Sequence, residues 1–264
     1  MEITPDISIC TVTQDRPDLI RHHILSVLSS TASILCEIIV ADDQQAGRTR
    51  VFFDQEFPEV VVYEIAAEDT LVQARNRAMQ VAQGRYIFLC DNGVIIRKGC
   101  ISRLLEFMDD NPFVGLAGPK IILPDQTTNL PVNTTRTFLR FLFKSAIKNN
   151  LFLKAKKNDP HSFPPSLDVD STSLVNLLNS PCLLIRRETI EEIGFLNERL
   201  AAECCYIEYC LRAQLAGWHI YHVHDAEVLL LGSKHPNPAS NRFIIWYLKS
   251  MIYFLFKKWF SSRR

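Results

Sequence analysis

Between Ile7 and Asp91, short unbroken apolar runs alternate with amphipathic stretches, and this alternation constrains the fold more than any other feature of the chain. Ile7 to Thr13 is a β-rich run, and Asp18 to Ser30 carries Leu19, Ile24, Leu25, Val27 and Leu28 at helical spacing. Glu37 to Ala41 predicts a second strand ending in Asp42 and Asp43, Val60 to Ile65 a third, Leu71 to Ala82 a helix, and Tyr86 to Cys90 a fourth strand running into Asp91. Strands that are apolar on both faces must be covered on both faces, so the pattern predicts an α/β fold with a mainly parallel sheet between helical layers. Ligands of such sheets gather at the carboxyl ends of the strands. Here those ends are polar: Thr13 to Arg16, Asp42 with Asp43, and Asp91.

Beyond Asp91 the spacing predicts strands at Val114 to Pro119 and Pro181 to Ile185, a short helix over Arg187 to Ile193, and a helix over Tyr206 to Ala216 stopped by Gly217. Neither GxxxxGK[ST] nor GxGxxG occurs, which excludes the P-loop and the dinucleotide fingerprint as phosphate sites. With 264 residues and 47% hydrophobic content the chain buries one α/β core with at most a small appendage. We divide it into a domain over 1–235, with an inserted loop-and-helix segment at about 125–173, and a tail over 236–264.

Lys+Arg and Asp+Glu both number 29, so the body is neutral and no nucleic-acid partner is expected. The charges are unevenly placed. No acid follows Glu227, whereas Arg136, Arg140, Lys144 and Lys148 recur at intervals of four within an acid-free stretch. MEITPDISIC lacks a basic region followed by an apolar core, so export is not indicated. The eight cysteines form no CxxC pair, and Cys10, Cys36, Cys90 and Cys182 sit in apolar runs where a thiol packs like a small hydrophobe. A cytoplasmic compartment follows as the expectation.

The tail, NRFIIWYLKSMIYFLFKKWFSSRR, is too charged for a membrane span, which takes about 20 mostly apolar residues. It fits an amphipathic helix in the bilayer interface, with Trp246, Tyr247, Tyr253 and Trp259 as anchors and Lys257 and Lys258 meeting anionic lipid. It fits equally a helix docked on the chain's own core or on a second subunit.

The order of segments resembles glycosyltransferase family 2, with the GT-A fold, of the bacterial rhamnosyltransferase-like kind. ISICTVTQDRPDLIRHHILSVLSS is similar to that family's first strand and helix, EIIVADD to its second strand, and LVQARNRAMQVAQGRYIFLCDNG to its AARNxGxxxAxGxYIxFLDDD segment. LNSPCLLIRRETIEEIGFLNER and YIEYCLRAQLAGWHIYHVHDAEV resemble two later family segments, so the likeness covers roughly residues 7–232. It implies a nucleotide diphosphate sugar as donor, a glycan or lipid-linked acceptor in cell-surface polysaccharide assembly, and Mg²⁺ or Mn²⁺ as cofactor. It also implies that Asp42 binds the base, that Thr13 lies near ribose and base, and that Arg75 lies beside the diphosphate. A carboxylate accepts from a base N–H, and an Arg fork suits phosphate oxygens.

The metal and base half of the pattern is eroded. Asp91 matches the first Asp of the family's DxD motif, while the second falls on Gly93. The family's catalytic ED pair falls on Cys205 and Tyr206, leaving Glu208 as the neighbouring carboxylate. Three explanations stand side by side. The chain is a transferase working without metal, through Arg75, Arg97 or Lys98 and with Glu208, Asp91 or Glu203 as base. Or it is an inactive homologue that binds nucleotide or scaffolds a complex. Or His222 with His224, or Cys204 with Cys205, has taken over a metal. Taken singly, Asp91 also fits a turn, since Asp-Asn-Gly favours one, Arg75 and Asn76 fit an exposed helix face, and Asp42 a helix cap.

Overall fold

The computed structural model describes residues 4–13, 17–43, 48–65, 69–125, 127–129, 171–178, 181–200 and 202–231. The amino-terminal part is built of β1 (Ile7–Thr13), α1 (Pro17–Thr31), β2 (Cys36–Asp43), α2 (Arg48–Glu56), β3 (Val61–Ile65), α3 (Leu71–Val81) and β4 (Tyr86–Asp91). There follow β5 (Val94–Ile96), α4 (Cys100–Asp110), β6 (Val114–Ile122), β7 (Thr128–Asn129), β8 (Ser173–Leu174), β9 (Cys182–Arg186), α5 (Arg187–Ile193), α6 (Ala202–Leu215) and β10 (His219–Leu230). Nearly all of the segment at 125–173 and the whole tail over 236–264 lie outside the described residues. So do the tail positions Trp246, Tyr253, Lys257, Lys258 and Trp259. Among the described residues no helix is long and apolar enough to cross a membrane.

The strands form one sheet in the order β3-β2-β1-β4-β9-β6-β10-β5, with β7 beside β6 and β8 beside β10. The pairings among β3, β2, β1 and β4 are parallel, and so is β6 with β10. β9 is antiparallel to both β4 and β6, and so joins the two parallel groups. The chain steps outward from β1 through β2 to β3, then returns to place β4 on the other side of β1. Open α/β sheets bind ligands at the carboxyl ends of the strands that flank such a reversal, here β1 and β4.

Every residue of β1 is buried, which is why it reads as an apolar run. Alternate side chains serve two cores. Cys10, Val12, Ile39, Ala41, Ile87 and Leu89 pack with Val72, Ala78 and Met79 of α3 and with Tyr209 and Ala213 of α6. Ile7, Ile9, Ile38, Val40, Phe88 and Cys90 face the other way, against Ile20, Ile24 and Val27 of α1, Phe53 of α2, and Ile101, Leu104 and Met108 of α4. Each such fully buried aliphatic side chain contributes on the order of 2 kcal/mol by removal from water. Both faces are therefore covered, as the strand pattern requires.

The edge strand β5 is closed by a helix instead of a strand. On α1, His23 Nδ1 donates to Val94 O at 2.7 Å, Ser26 Oγ accepts from Ile96 N at 3.0 Å, and Ser30 Oγ donates to Ile96 O at 3.3 Å. His23, Ser26 and Ser30 form one helical stripe, and they pair the strand edge that otherwise lacks partners.

Candidate functional site

Thr13 ends β1 and Asp42 stands at the end of β2, and the two are register partners. Asp91 ends β4, where Val12 of β1 is its register partner. Three of the residues that the resemblance singles out thus sit on adjoining strand ends, flanking the point where the strand order reverses. Asp42 and Asp91 are two strand spacings apart, about 10 Å. They do not share a face: side chains alternate, so Thr13 and Asp42 lie on the α1 side with Ile9 and Val40, whereas Asp91 lies on the α3 and α6 side with Ile87 and Leu89. A ligand touching all three has to lie across the strand ends. Thr13 and Asp42 are both buried, and Asp42 is a strand residue, not a helix cap.

Arg75 projects from α3, whose amino terminus is fixed by a capping box. Gln73 N donates to Thr70 Oγ1 at 3.2 Å, and Thr70 N to Gln73 Oε1 at 2.8 Å. Arg75 Nη2 donates to Asp91 Oδ1 at 2.6 Å, across side chains that are 6% and 34% exposed. The guanidinium lies over the Tyr206 ring of α6, 4.9 Å from its centroid. Arg75 and Asn76 are both buried, which overturns the exposed-face reading of this pair. Burial opposes the charge on Arg75, but its partners outweigh it, and with the Tyr206 phenol neutral it is the Asp91 carboxylate that supplies the opposing charge. Burial raises the Tyr206 phenol well above its ordinary pKa, despite the opposing pull of Arg75. Tyr206 is therefore a hydrogen-bond donor at neutral pH and not a base.

The Asp91-Asn92-Gly93 turn is pinned from several directions. Asp91 N donates to Pro181 O at 2.9 Å, and Leu231 N donates to Gly93 O at 2.9 Å. Asn92 Nδ2 approaches Thr13 Oγ1 at 3.5 Å. His23 holds Val94 O just beyond. Asp91 accordingly closes a strand and opens a turn, so the turn reading and the site reading of this residue hold together.

Glu208 is held in an ion pair with Arg212. It is buried, with Oε2 accepting from Arg212 Nε at 3.2 Å and Nη2 at 2.8 Å. Arg212 also donates to Ile193 O and Phe195 O, so the pair ties the loop after α5 to α6. Positions 206 and 208 are about 200° apart around a helix, so with the Tyr206 ring on Arg75 the Glu208 side chain leaves α6 on another face. Arg97, another candidate for phosphate, is ion-paired with Glu227 at 2.8 Å. The side chains of Glu203 and Cys204 lie outside the described set.

A divalent cation of the Mg²⁺ or Mn²⁺ kind takes oxygen ligands in a near-octahedral shell. At the turn the described residues supply one carboxylate, with one oxygen committed to Arg75, and Gly93 has no side chain to give. His222 is buried, while the His224 side chain is 27% exposed and lies 3.8 Å from Asp225. Among the described residues no group of three or more His, Cys, Asp or Glu is placed to hold a metal. This donor set does not fit the divalent centre that the resemblance implies. The residue that position-by-position matching undervalued is Tyr206, which counts there only as a lost carboxylate. The signal for it is its place on the face of α6 that meets α3.

A mainly parallel sheet with acid-ended strands at its switch point makes this an α/β protein, and its likeness to solved glycosyltransferases gives it the GT-A fold. The family model described as "Glycosyl transferase family 2" matches residues 8–165, and the chain belongs to that family. No curated protein sequence matches the chain. Among solved structures, the fold is similar to that titled "Crystal structure of GalNAc-T7 with UDP, GalNAc and Mn2+". That match has a TM-score of 0.63 and 15% identity, covering 87% of this chain and 44% of the other. It is also similar to "Mannosyltransferase PcManGT from Pyrobaculum calidifontis in complex with GDP-Man and Mn2+", with a TM-score of 0.58 and 13% identity, covering 89% of this chain and 59% of the other. The chain thus spans about half the length of these structures.

Proposed function

We propose that the protein transfers a sugar from a nucleotide diphosphate sugar to a glycan or lipid-linked acceptor in cell-surface polysaccharide assembly, in the manner of the rhamnosyltransferase-like members of its family. The observation that carries this is the convergence of Thr13, Asp42 and Asp91 on adjoining strand ends, with Arg75 bonded to Asp91. The nucleoside lies towards Thr13 and Asp42, and the diphosphate towards Asp91 and Arg75. UDP and GDP-Man in the titles of the two similar structures support a nucleotide sugar as the ligand class. The basic, aromatic composition of 236–264 supports a cytoplasmic position against the inner face of a membrane, or a contact with a second subunit.

A second reading is favoured by Tyr206 standing, as a protonated phenol, where the family's base is expected: an inactive family 2 homologue that binds nucleotide within a transferase complex. Incubation of the full chain with UDP, GDP and dTDP sugars, followed by chromatography of the released nucleotide, separates the two. Release of nucleoside diphosphate supports the transferase, binding without release supports the second reading, and binding of none contradicts both.

A further inference from the structure

Two buried polar atoms beside Asp91 have no hydrogen-bond partner among the described residues: Arg75 Nη1 and the Tyr206 hydroxyl. They belong to side chains in direct contact, with the guanidinium 4.9 Å from the ring centroid. An unpaired buried donor is costly, and such groups in a native fold call for an explanation. A guanidinium has only donors to offer, and the Tyr206 phenol keeps its proton at neutral pH. What both atoms lack is therefore an acceptor. Asp91, the carboxylate at this turn, already gives Oδ1 to the other arm of the same guanidinium at 2.6 Å. The acceptor has to come from outside the described residues, and an anionic oxygen is the group that binds a charged donor most strongly.

We propose that Arg75 and Tyr206 together seat a phosphate oxygen of the donor's diphosphate, and that the protein binds its nucleotide sugar without a divalent cation. This deepens, and rests on, the nucleotide-sugar reading of the same strand ends. It also explains the ligand set: a centre that needs no cation has no use for a second carboxylate at position 93, and glycine stands there. The Arg75 side chain is 6% exposed, so a phosphate reaches Nη1 only when the side chains around it shift. The Asp91 side chain, 34% exposed, marks the side of approach.

The test is calorimetric titration of the full chain with UDP, GDP and dTDP, once in excess EDTA and once with Mn²⁺, for the wild type and for Tyr206→Phe. Phenylalanine keeps the ring under the guanidinium and removes only the hydroxyl, so the fold is retained. The expected result is one nucleotide bound equally well in EDTA and in Mn²⁺, with Tyr206→Phe about tenfold weaker, the ordinary worth of a hydrogen bond to a charged group. Its melting temperature stays unchanged or rises, because a buried unpaired hydroxyl is gone. Binding that appears only with Mn²⁺ overturns the inference and leaves the nucleotide-sugar reading standing. Unchanged affinity in Tyr206→Phe also overturns it, and assigns the unpaired atoms to a buried water. Failure of all three nucleotides under both conditions removes the nucleotide-sugar reading itself.

Discussion

Asn76 on α3 and Leu196, in the loop before α6, exchange both of their amide groups. Leu196 N donates to Asn76 Oδ1 at 3.0 Å, and Asn76 Nδ2 donates to Leu196 O at 2.9 Å. The same Nδ2 reaches Glu198 Oε1 at 2.8 Å, so one buried side chain acts as a strand partner for the loop.

Truncating that side chain strands two buried backbone groups, each worth about 1–3 kcal/mol when left unpaired. Asn76→Ala is expected to lower unfolding free energy by about 2–6 kcal/mol, read by urea denaturation at neutral pH. Because the loop it holds leads into α6, the Arg75–Tyr206 contact should loosen at the same time.

His23 makes stability depend on acid. Val94 O only accepts, so Nδ1 carries the proton, and Nε2 accepts from Thr11 Oγ1 at 2.8 Å. Burial, opposed by the Val94 hydrogen bond and the Asp91 charge, lowers the His23 pKa to about 4. Between that value and about 6.5 the unfolded chain binds a proton that the folded chain refuses, so stability falls as pH drops through this window. The loss attributable to His23 is roughly 3 kcal/mol. Denaturant melts at pH 4 to 7 should show it, and His23→Gln should flatten the slope while lowering stability throughout.

The packing of α3's exit against β1 leaves no room at Gly84. A β-carbon there would meet Ser8 N at 2.5 Å and Ile7 C at 2.7 Å, both backbone atoms. Gly84→Ala is expected to cost about 3 kcal/mol, the upper end for overpacking, since backbone yields less readily than a side chain. A melting temperature within a degree or two of wild type would contradict the close approach.

Glu208 separates a structural carboxylate from a catalytic one. Removing one partner of a buried ion pair costs about 3–5 kcal/mol. Glu208→Gln should therefore lose about 3 kcal/mol of stability, near the lower end because the amide oxygen still accepts from Arg212. The pH profile of nucleotide release should keep its shape in the variant, whereas loss of its acidic limb would make Glu208 the base after all.

The elements that the sequence predicts are those whose burial leaves a period in it. β1, β2 and α3 appear within a residue or two of expectation, and the acids that end β2 and β4 stand at the same end of the sheet with β1 between them. The helix over Tyr206 to Ala216 begins earlier, at Ala202, because Ala202 and its successors carry no start signal. The strand at β9 is legible but its antiparallel direction is not, since a short run buried through its first four residues has the same apolar pattern whichever way it points. The stripe Ile101, Leu104, Leu105 and Met108 that makes α4 is legible in retrospect. At the site, residue types were readable and their pairings were not. Nothing in the spacing of Arg75 and Asp91 says that they bond, nor that Tyr206 covers them, because those contacts depend on how α3 and α6 pack. The same packing is what turns Glu208 away.

In the proposed function the carboxyl ends of β2, β1 and β4 hold one ligand, the nucleotide sugar. Hydrogen–deuterium exchange followed by mass spectrometry, with and without a saturating UDP, GDP or dTDP sugar, reads those strand ends directly. The account predicts slowed exchange in peptides covering 8–13, 36–43 and 86–94 together, with α4 unchanged. Slowed exchange confined to one of these stretches, or found only elsewhere in the chain, would contradict it.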